Sequence, residues 1–184
     1  MKIIETGLPG LVVIEPRVFE DDRGYFFETY QLQRYTEADI NTIFIQDNES
    51  KSVKGVVRGL HYQLGEAAQA KLVRVVQGSV FDVAVDLRKG SPTFGKWFGL
   101  ELSENNKKQL FVPRGFAHGF SVLSETAIFT YKCDNAYDKS AERSINPFDS
   151  QLAIDWMIDK SQTIVSEKDM IAPSFDEAEM NFNF

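Results

Sequence analysis

The residues best suited to chemistry lie in the stretch RGLHYQLGEAAQAKLVRVVQG, residues 58–78. His61 is one of only two histidines in the chain. Lys71 opens a strand-like run in which it shares the alternation of Val73 and Val75, so its amine is expected to point toward the core. Lysine is rarely buried without a partner. The stretch therefore indicates one of two kinds of site. It is either a metal site that has lost its ligands or a site that transfers a proton and stabilises an anion.

Two short patterns argue against the metal. His61-x-Gln63 is followed by Lys71, and Gly78 comes after six further residues. Pro-x-Gly-x-x-His occurs later, in VPRGFAHGF, and ends at His118. Together they resemble the signature stretches of the cupin superfamily, whose metal-binding members have a second histidine where Gln63 stands and a glutamate where Lys71 stands. A protonated lysine has no lone pair to give and would repel a cation, so we expect no metal.

A base, a cation and an opposed acid are the groups that epimerisation beside a ketone requires. Histidine has a suitable pKa for removing the proton next to the carbonyl group, and Lys71 could stabilise the resulting enolate oxygen. Tyr131 shares the alternation of Ala127 and Phe129 and could return a proton from the opposite face. The alternatives are a hydrogen-bonded core histidine at His61 and a core tyrosine at Tyr131. This chemistry needs no cofactor.

The segments that must position these groups are mostly predicted to be strands. In VFDVAVDL, residues 80–87, apolar residues lie on one face and Asp82 and Asp86 on the other, and ETAIFTYKCD alternates in the same way. Helical spacing occurs at 30–39, and a short helix is possible near 159–163. Further strand candidates are LVVIEPRVF, YFFETY, TIFIQDN, KLVRVVQ, KWFGLELS and FSVLS.

Many short strands separated by turn-like breaks, with almost no helix, are typical of a sandwich or barrel. We therefore predict an all-β fold, a double-stranded β-helix of the cupin jelly-roll type with short peripheral helices. No linker or composition shift divides the chain, so one domain over residues 1–184 is expected.

Composition excludes several classes of protein. Of the 184 residues, 43% are apolar and 12% aromatic, which is enough for a substantial core. The net charge of −7 argues against a nucleic-acid or membrane-surface binder, since those use basic fields. Cys133 is the only cysteine, so no internal disulfide is possible. No apolar run has the length of a signal or a membrane span, and a soluble cytoplasmic protein is expected.

Over essentially its full length the sequence closely resembles the bacterial dTDP-4-dehydrorhamnose 3,5-epimerases. The matching stretches are DDRGYFFETY, FIQDNES, VVRGLHYQ, KLVRVVQGSVFDVAVDLR, SPTFGKW, FVPRGFAHGF and SEKD. Several blocks in the right order are far more specific than one motif. The resemblance implies a cofactor-independent homodimer that converts dTDP-4-dehydro-6-deoxy-D-glucose to dTDP-4-dehydro-L-rhamnose, for dTDP-L-rhamnose supply to surface polysaccharides such as O-antigen.

The resemblance also implies roles for individual residues. His61 matches the catalytic base and Asp169 the carboxylate that orients it, although more than half of the chain separates them and spacing does not show that they meet. Lys71 matches the residue that stabilises the C4 enolate oxygen, and Tyr131 matches the general acid. The residues implied to line the substrate site are Arg23, Glu28, Gln46, Asp47, Asn48, Arg58, His118, Glu142 and Lys168, and Phe26 is a further candidate for that site.

Some of these residues also have simpler interpretations. Arg23 and Arg58 suit a diphosphate because a guanidinium group offers paired donors, yet either could be a solvated surface arginine. Phe26 could pack against a thymine ring or belong to the core. Gln46 and Asn48 share a strand alternation, which suits two amides facing one ligand. His118 could be a second base, although a binding or structural histidine is the favoured interpretation.

Three rival functions remain at this point. A single-carbon epimerase or keto-isomerase would resemble the same template, although Tyr131 favours the double epimerase. A metal-dependent cupin oxygenase would contain near-stoichiometric iron, copper or manganese. A non-catalytic sugar-nucleotide binding module would keep Arg23 and Arg58 but has no use for His61 and Lys71 in one cavity.

Overall fold

The computed structural model describes residues 1–184, which form short strands with very little helix. The longest helix has five residues, and no helix is long and apolar enough to cross a membrane. In chain order the elements are β1 (Lys2–Glu5), β2 (Val12–Glu15), β3 (Phe19–Asp21), β4 (Gly24–Phe26), α1 (Leu32–Thr36), β5 (Gln46–Val53), β6 (Val56–Gln63), a 3₁₀ helix (Gly65–Ala67), β7 (Lys71–Gln77), β8 (Ser79–Asp86), β9 (Trp97–Ser103), β10 (Gln109–Val112), β11 (Phe116–Val122), β12 (Thr126–Cys133), β13 (Glu142–Ser144), a 3₁₀ helix (Lys160–Gln162), β14 (Ile164–Val165) and α2 (Glu167–Met170).

Two sheets face each other. The first has the strand order β1-β2-β10-β7-β12-β5, and the second has the order β13-β6-β11-β8-β9 with β14 added beside β6. All pairs are antiparallel except β14 with β6, and β3 and β4 form a separate hairpin. A core of 15 buried residues from both sheets fills the space between them, including Val73, Val75, Phe120 and Phe129. The predicted all-β jelly roll with short peripheral helices is confirmed.

Strand β8 departs from the predicted pattern of one apolar and one polar face. Val83 and Val85 pack under the C-terminal segment, while Val80 and Ala84 belong to the core between the sheets. A central strand of a jelly roll is covered on both sides, so its polar residues are buried too. Asp82 and Asp86 are both completely buried, and each must find its partners inside the protein.

Other element boundaries also differ from the sequence-based predictions. The helical pattern at 30–39 yields only α1, and the helix expected near 159–163 is a single 3₁₀ turn. The strand expected from TIFIQDN begins only at Gln46 and continues through a polar segment to Val53. This segment alternates exposed and partly buried residues because β5 is an edge strand, and alternation without apolar residues gives a weak sequence signal.

Strands β6 and β11 approach each other closely where they carry site residues. The pairing between them shifts register between His118 and Phe120. Gly59 has a φ of +132°, and a Cβ on it would lie 2.6 Å from the Cα of Gly119, so neither position accommodates a side chain. This contact places Arg58 and His61, on either side of Gly59, in an irregular part of the strand.

Asp86 anchors the loop that follows β8. Its carboxylate accepts hydrogen bonds from the Arg88 guanidinium at 2.8 Å, the Ser91 hydroxyl at 2.6 Å and the Thr93 hydroxyl at 2.7 Å. Burial alone would raise the pKa of Asp86, but these hydrogen bonds outweigh it and lower the pKa. The stabilisation is therefore present at neutral pH and is lost as the pH falls through this lowered pKa.

We predict that Asp86→Asn lowers the free energy of unfolding by about 3 kcal/mol at neutral pH, because Arg88 loses its buried counter-charge. Urea unfolding measures the change. The control is Asp22→Asn at an exposed position, which should change stability by less than about 0.5 kcal/mol. Equal effects of the two substitutions would contradict the anchoring role.

Candidate active site

A cavity with a volume of about 410 Å³ lies between the two sheets. Its walls come from β5, β7 and β12 on one side and from β6 and β13 on the other. The lining residues are mostly polar: Gln46, Asn48, His61, Tyr62, Gln63, Gln69, Lys71, Tyr131, Cys133, Tyr137 and Glu142. Three of the four residues predicted to be catalytic therefore share one cavity.

The fourth, Asp169, does not line the cavity but contacts His61. The His61 Nε2 atom lies 2.7 Å from Asp169 Oδ1, and the carboxylate is almost fully buried. Burial alone would raise the pKa of Asp169, but hydrogen bonds from His61, Ser166 and the Gly59 amide outweigh it and lower the pKa. An ionised Asp169 accepts a hydrogen bond from the Nε2–H group, which leaves Nδ1 of a neutral imidazole with its lone pair free.

The C-terminal part of the chain runs alongside β6 and thereby brings Asp169 to His61. Strand β14 pairs in parallel with β6, with Ile164 beside Val56, and leads directly into α2. Ser166 caps α2, because its hydroxyl accepts a hydrogen bond from the Asp169 amide at 3.1 Å. The carboxylate is thereby fixed beside the ring of His61.

Lys71 lies on the inner face of β7, and its amine makes no hydrogen bond or ion pair within the chain. Burial lowers the pKa of Lys71, and the neighbouring Cys133, Asp82 and Glu142 partly oppose this change. A half-buried amine without a fixed partner, facing a polar cavity, is suited to interact with an oxygen that gains negative charge.

Tyr131 lies on the inner face of β12, on the wall opposite His61. Burial raises the pKa of Tyr131, with a further contribution from Cys133, while Arg58 opposes the change. The hydroxyl therefore keeps its proton at neutral pH. A base on one sheet and an acid on the other can reach opposite faces of a flat intermediate bound between them.

Amides and one carboxylate complete the cavity. Gln46 Nε2 donates to Asn48 Oδ1 at 3.0 Å, and both residues face the cavity from β5. Glu142 Oε2 accepts from the Tyr137 hydroxyl at 3.0 Å and from the Lys168 amine at 2.6 Å. The carboxylate thus ties the loop containing Tyr137 to α2.

Sequence reasoning missed several lining residues. Tyr137 lies in an irregular loop with no periodic signal, and Gln69 lies in the loop before β7. Gln63, which occupies the position of a metal-binding histidine in the cupin pattern, instead fixes loops: its Nε2 donates to the Ala67 carbonyl at 2.7 Å and its Oε1 accepts from the Asp138 amide at 2.7 Å. The presence of glutamine in place of the histidine at position 63 of the cupin pattern could have indicated that this residue has a structural role.

Four of the other predicted residues lie beside the cavity rather than in it: Asp47, Arg58, His118 and Lys168. Arg58 lines an adjoining cavity of about 330 Å³ that also contacts His61 and Lys168. His118 is buried, with Nε2 3.0 Å from both carboxylate oxygens of Asp82. Asp47 faces the opposite side of β5.

A last group of predicted residues lies outside the cavity, on or near the β3–β4 hairpin. Arg23 is exposed and bonds to Asp21 at 2.6 Å, and the Phe26 side chain is 66% exposed. Glu28 pairs with Arg34 beside α1. In one copy of the chain these residues do not reach the residues around His61.

Comparison with known proteins identifies the family of this chain. The family model described as dTDP-4-dehydrorhamnose 3,5-epimerase matches residues 5–177. The protein of that name from Shigella flexneri is 51% identical over 180 residues, which cover 97% of this chain and 98% of the relative. The solved structure of the enzyme from Elizabethkingia anophelis NUHP1 is 57% identical, with a TM-score of 0.93 and coverage of 96% of this chain and 97% of that chain.

A second solved structure contains a bound sugar nucleotide. It is the dTDP-6-deoxy-D-glucose-3,5-epimerase from Legionella pneumophila Philadelphia 1 in complex with dTDP-4-keto-L-rhamnose, 48% identical, with a TM-score of 0.95 and coverage of 100% of this chain and 98% of that chain. The family model and these relatives span nearly the whole sequence. This chain therefore belongs to the dTDP-4-dehydrorhamnose 3,5-epimerase family.

Proposed function

We propose that this protein is a cofactor-independent isomerase that converts dTDP-4-dehydro-6-deoxy-D-glucose to dTDP-4-dehydro-L-rhamnose. One observation carries the proposal. His61, held by Asp169 on the second sheet, faces the same cavity as Lys71 and Tyr131 on the first sheet. Full-length relatives with this activity in their names support the substrate assignment.

The proposed mechanism passes through an enolate. Nδ1 of His61 removes the proton from the carbon beside the C4 ketone, and the electron pair moves onto the ketone oxygen. The Lys71 ammonium group stabilises that oxygen, and Tyr131 returns a proton to the opposite face of the carbon. His61 has then gained a proton and Tyr131 has lost one, so proton exchange with solvent restores both.

The same groups can serve both inversions. C3 and C5 flank the C4 carbonyl group, so removing a proton from either carbon places the negative charge on the same oxygen. One ammonium group at Lys71 is therefore sufficient for both enolates. The order of the two inversions does not affect this requirement.

The rest of the substrate would extend from the cavity. Gln46 and Asn48 offer amide groups to the bound molecule, and the adjoining cavity brings Arg58 and Lys168 close to His61. Two cationic side chains beside the sugar site suit a diphosphate. We therefore propose that the sugar occupies the main cavity and that the diphosphate runs toward Arg58.

A homodimer in the cytoplasm is part of the proposal. The β3–β4 hairpin exposes Phe19, Tyr25 and Phe26 by 50%, 56% and 66%, a concentration of aromatic surface that is typical of an interaction site. A second copy would allow Arg23 and Phe26, which lie outside the cavity of their own chain, to contribute to the site of its partner.

Incubation of the purified protein with substrate in D₂O tests the proposed reaction. We predict that deuterium appears at both C3 and C5, because each inversion exchanges a carbon-bound proton with solvent through His61 and Tyr131. Mass spectrometry and NMR of the product locate the label. Label at a single carbon would assign the protein to the mono-epimerases, and near-stoichiometric iron, copper or manganese in protein purified without chelator would favour a cupin oxygenase.

A further inference from the structure

A second aspartate–histidine pair lies inside the protein and has no part in the mechanism described above. Asp82 on β8 is completely buried, and both of its carboxylate oxygens lie 3.0 Å from Nε2 of His118 on β11. The Asp82 carboxylate makes no other side-chain hydrogen bond or ion pair. A buried carboxylate is unfavourable unless positive charge compensates it, so one imidazole is a sparse environment for this acid.

The alternation of β8 directs Asp82 into the space between the two sheets. Asp82 shares the alternation of Val80 and Ala84, which both belong to the core between the sheets. On the neighbouring strands, His118 of β11 is the register partner of His61 of β6. Directly paired residues of antiparallel strands point to the same face of a sheet. The aspartate–histidine pair is therefore adjacent to the proposed base.

The surroundings of this pair are apolar. The imidazole ring of His118 stacks on Phe129 with 6.1 Å between the ring centroids, and Phe129 stacks on Phe120 at 4.4 Å. In such surroundings a charge acts on other charges more strongly, and over a longer distance, than it does in water. An ionised Asp82 therefore influences the charged groups of the adjoining cavity without touching them.

Lys71 is the cavity group on which this charge has the clearest effect. Its amine faces the cavity and makes no ion pair within the chain. Burial lowers the pKa of Lys71, and Asp82 is among the groups that oppose this change. Burial raises the pKa of Asp82, and His118 and Lys71 oppose that change in turn. The amine and the carboxylate thus favour each other's charged forms.

The other titratable side chains of the cavity are poor substitutes for Asp82. They come from β6, β12, β13 and the loop before β13, and they are His61, Tyr62, Tyr131, Cys133, Tyr137 and Glu142. Burial raises the pKa of Tyr131 and that of Cys133, so both keep their protons at neutral pH. Glu142 already pairs with Lys168 at 2.6 Å. Asp82 is therefore the negative charge that remains to balance Lys71.

We propose that Asp82 is a positioning residue that keeps the Lys71 amine protonated for its action on the enolate oxygen, and that His118 keeps Asp82 ionised by donating its Nε2–H group. Asp82 does not touch the substrate in this role. The inference rests on the proposed function, because it concerns the amine that stabilises the enolate there.

The pH dependence of kcat/KM tests the proposal. Asp82→Asn removes a charge that favours the ammonium form of Lys71, so the alkaline decline of kcat/KM should move to lower pH by about one unit. In the Lys71→Arg background the guanidinium group stays charged, so adding Asp82→Asn should leave the decline where it is in Lys71→Arg. A purely structural role would lower activity without any such dependence on residue 71, and an equal displacement in both backgrounds would overturn the proposal.

Asp86→Asn is the matched control. Asp86 is as completely buried as Asp82 and lies on the same strand, but it pairs with Arg88 at 2.8 Å. The control variant should lose stability and still show the alkaline decline of the wild type. Either an unchanged decline in Asp82→Asn or the same displacement in both aspartate variants would contradict the proposed role.

Further measurements keep the test decisive if Asp82→Asn does not fold, as judged by circular dichroism. Asp82→Ser then takes its place in the kinetics, because it removes the same charge with a smaller side chain. NMR of the Asp82 carboxyl carbon in the wild type needs no substitution and should show an ionised group at neutral pH. A protonated Asp82 at neutral pH would end the proposal.

A direct titration separates this inference from the proposed function. NMR of the Lys71 amine nitrogen in the absence of substrate should give a lower pKa in the aspartate variant than in the wild type. Equal values would refute the coupling between Asp82 and Lys71, even in an enzyme that labels both carbons in D₂O. Absence of deuterium exchange in the wild type would instead refute the proposed reaction, and with it the purpose assigned to the charged amine.

Discussion

Replacing His61 with asparagine is expected to lower kcat/KM by about 10³-fold and to abolish deuterium exchange at both C3 and C5. The physical reason is that the lone pair on Nδ1 of His61 is the proposed base for both carbons, and positioned bases contribute rate factors of this size. Asparagine is preferred to alanine because its amide can still donate to the buried Asp169. Exchange at each carbon is measured by NMR in D₂O.

The interpretation requires that the variant remain intact. We expect His61→Asn to bind dTDP within a few-fold of the wild-type affinity, because the diphosphate is proposed to contact Arg58 and Lys168 rather than the imidazole. Continued exchange at either carbon would reveal a second base. His118 would then be the suspect, although its Nε2 atom contacts Asp82 and the side chain lies outside the main cavity.

The alternation of the strands predicted the inward-facing residues well. Lys71 with Val73 and Val75, Tyr131 with Phe129, and Gln46 with Asn48 all follow a period of two, so identifying the strand also identified the face. The same reasoning failed for Asp82 and Asp86, because β8 is covered on both faces and its polar residues are buried by neighbours that alternation does not reveal.

Contacts between distant segments could not be predicted from spacing. The approach of Asp169 to His61 depends on β14 pairing with β6 and on the cap at Ser166, and neither feature has a local signature near His61. Tyr137 enters the cavity from an irregular loop. For Arg23, the resemblance to a family implied a site residue that one copy of the chain does not bring to the cavity.

The amine of Lys71 in the cavity leads to the second large effect. We predict that Lys71→Met lowers kcat by about 10²- to 10³-fold, the usual cost of removing a group that stabilises a developing oxyanion. Methionine keeps most of the side-chain volume, so the loss reports the charge rather than a cavity. Steady-state kinetics measures the effect, and wild-type turnover in Lys71→Met would contradict an enolate held by this residue.

The pH dependence distinguishes Lys71 from Tyr131. Both groups must be protonated to act, so activity should fall as the pH rises through either pKa. Burial lowers the pKa of Lys71 from its ordinary 10.5 and raises that of Tyr131 from its ordinary 10.0, so the pKa of the amine moves toward neutral pH and that of the phenol moves away from it. In Lys71→Arg the guanidinium group stays charged, and the alkaline decline of kcat/KM should move to higher pH even though the rate is reduced. An alkaline decline at the wild-type position in Lys71→Arg would assign it to a group other than the amine, and the oxyanion would then require a different partner.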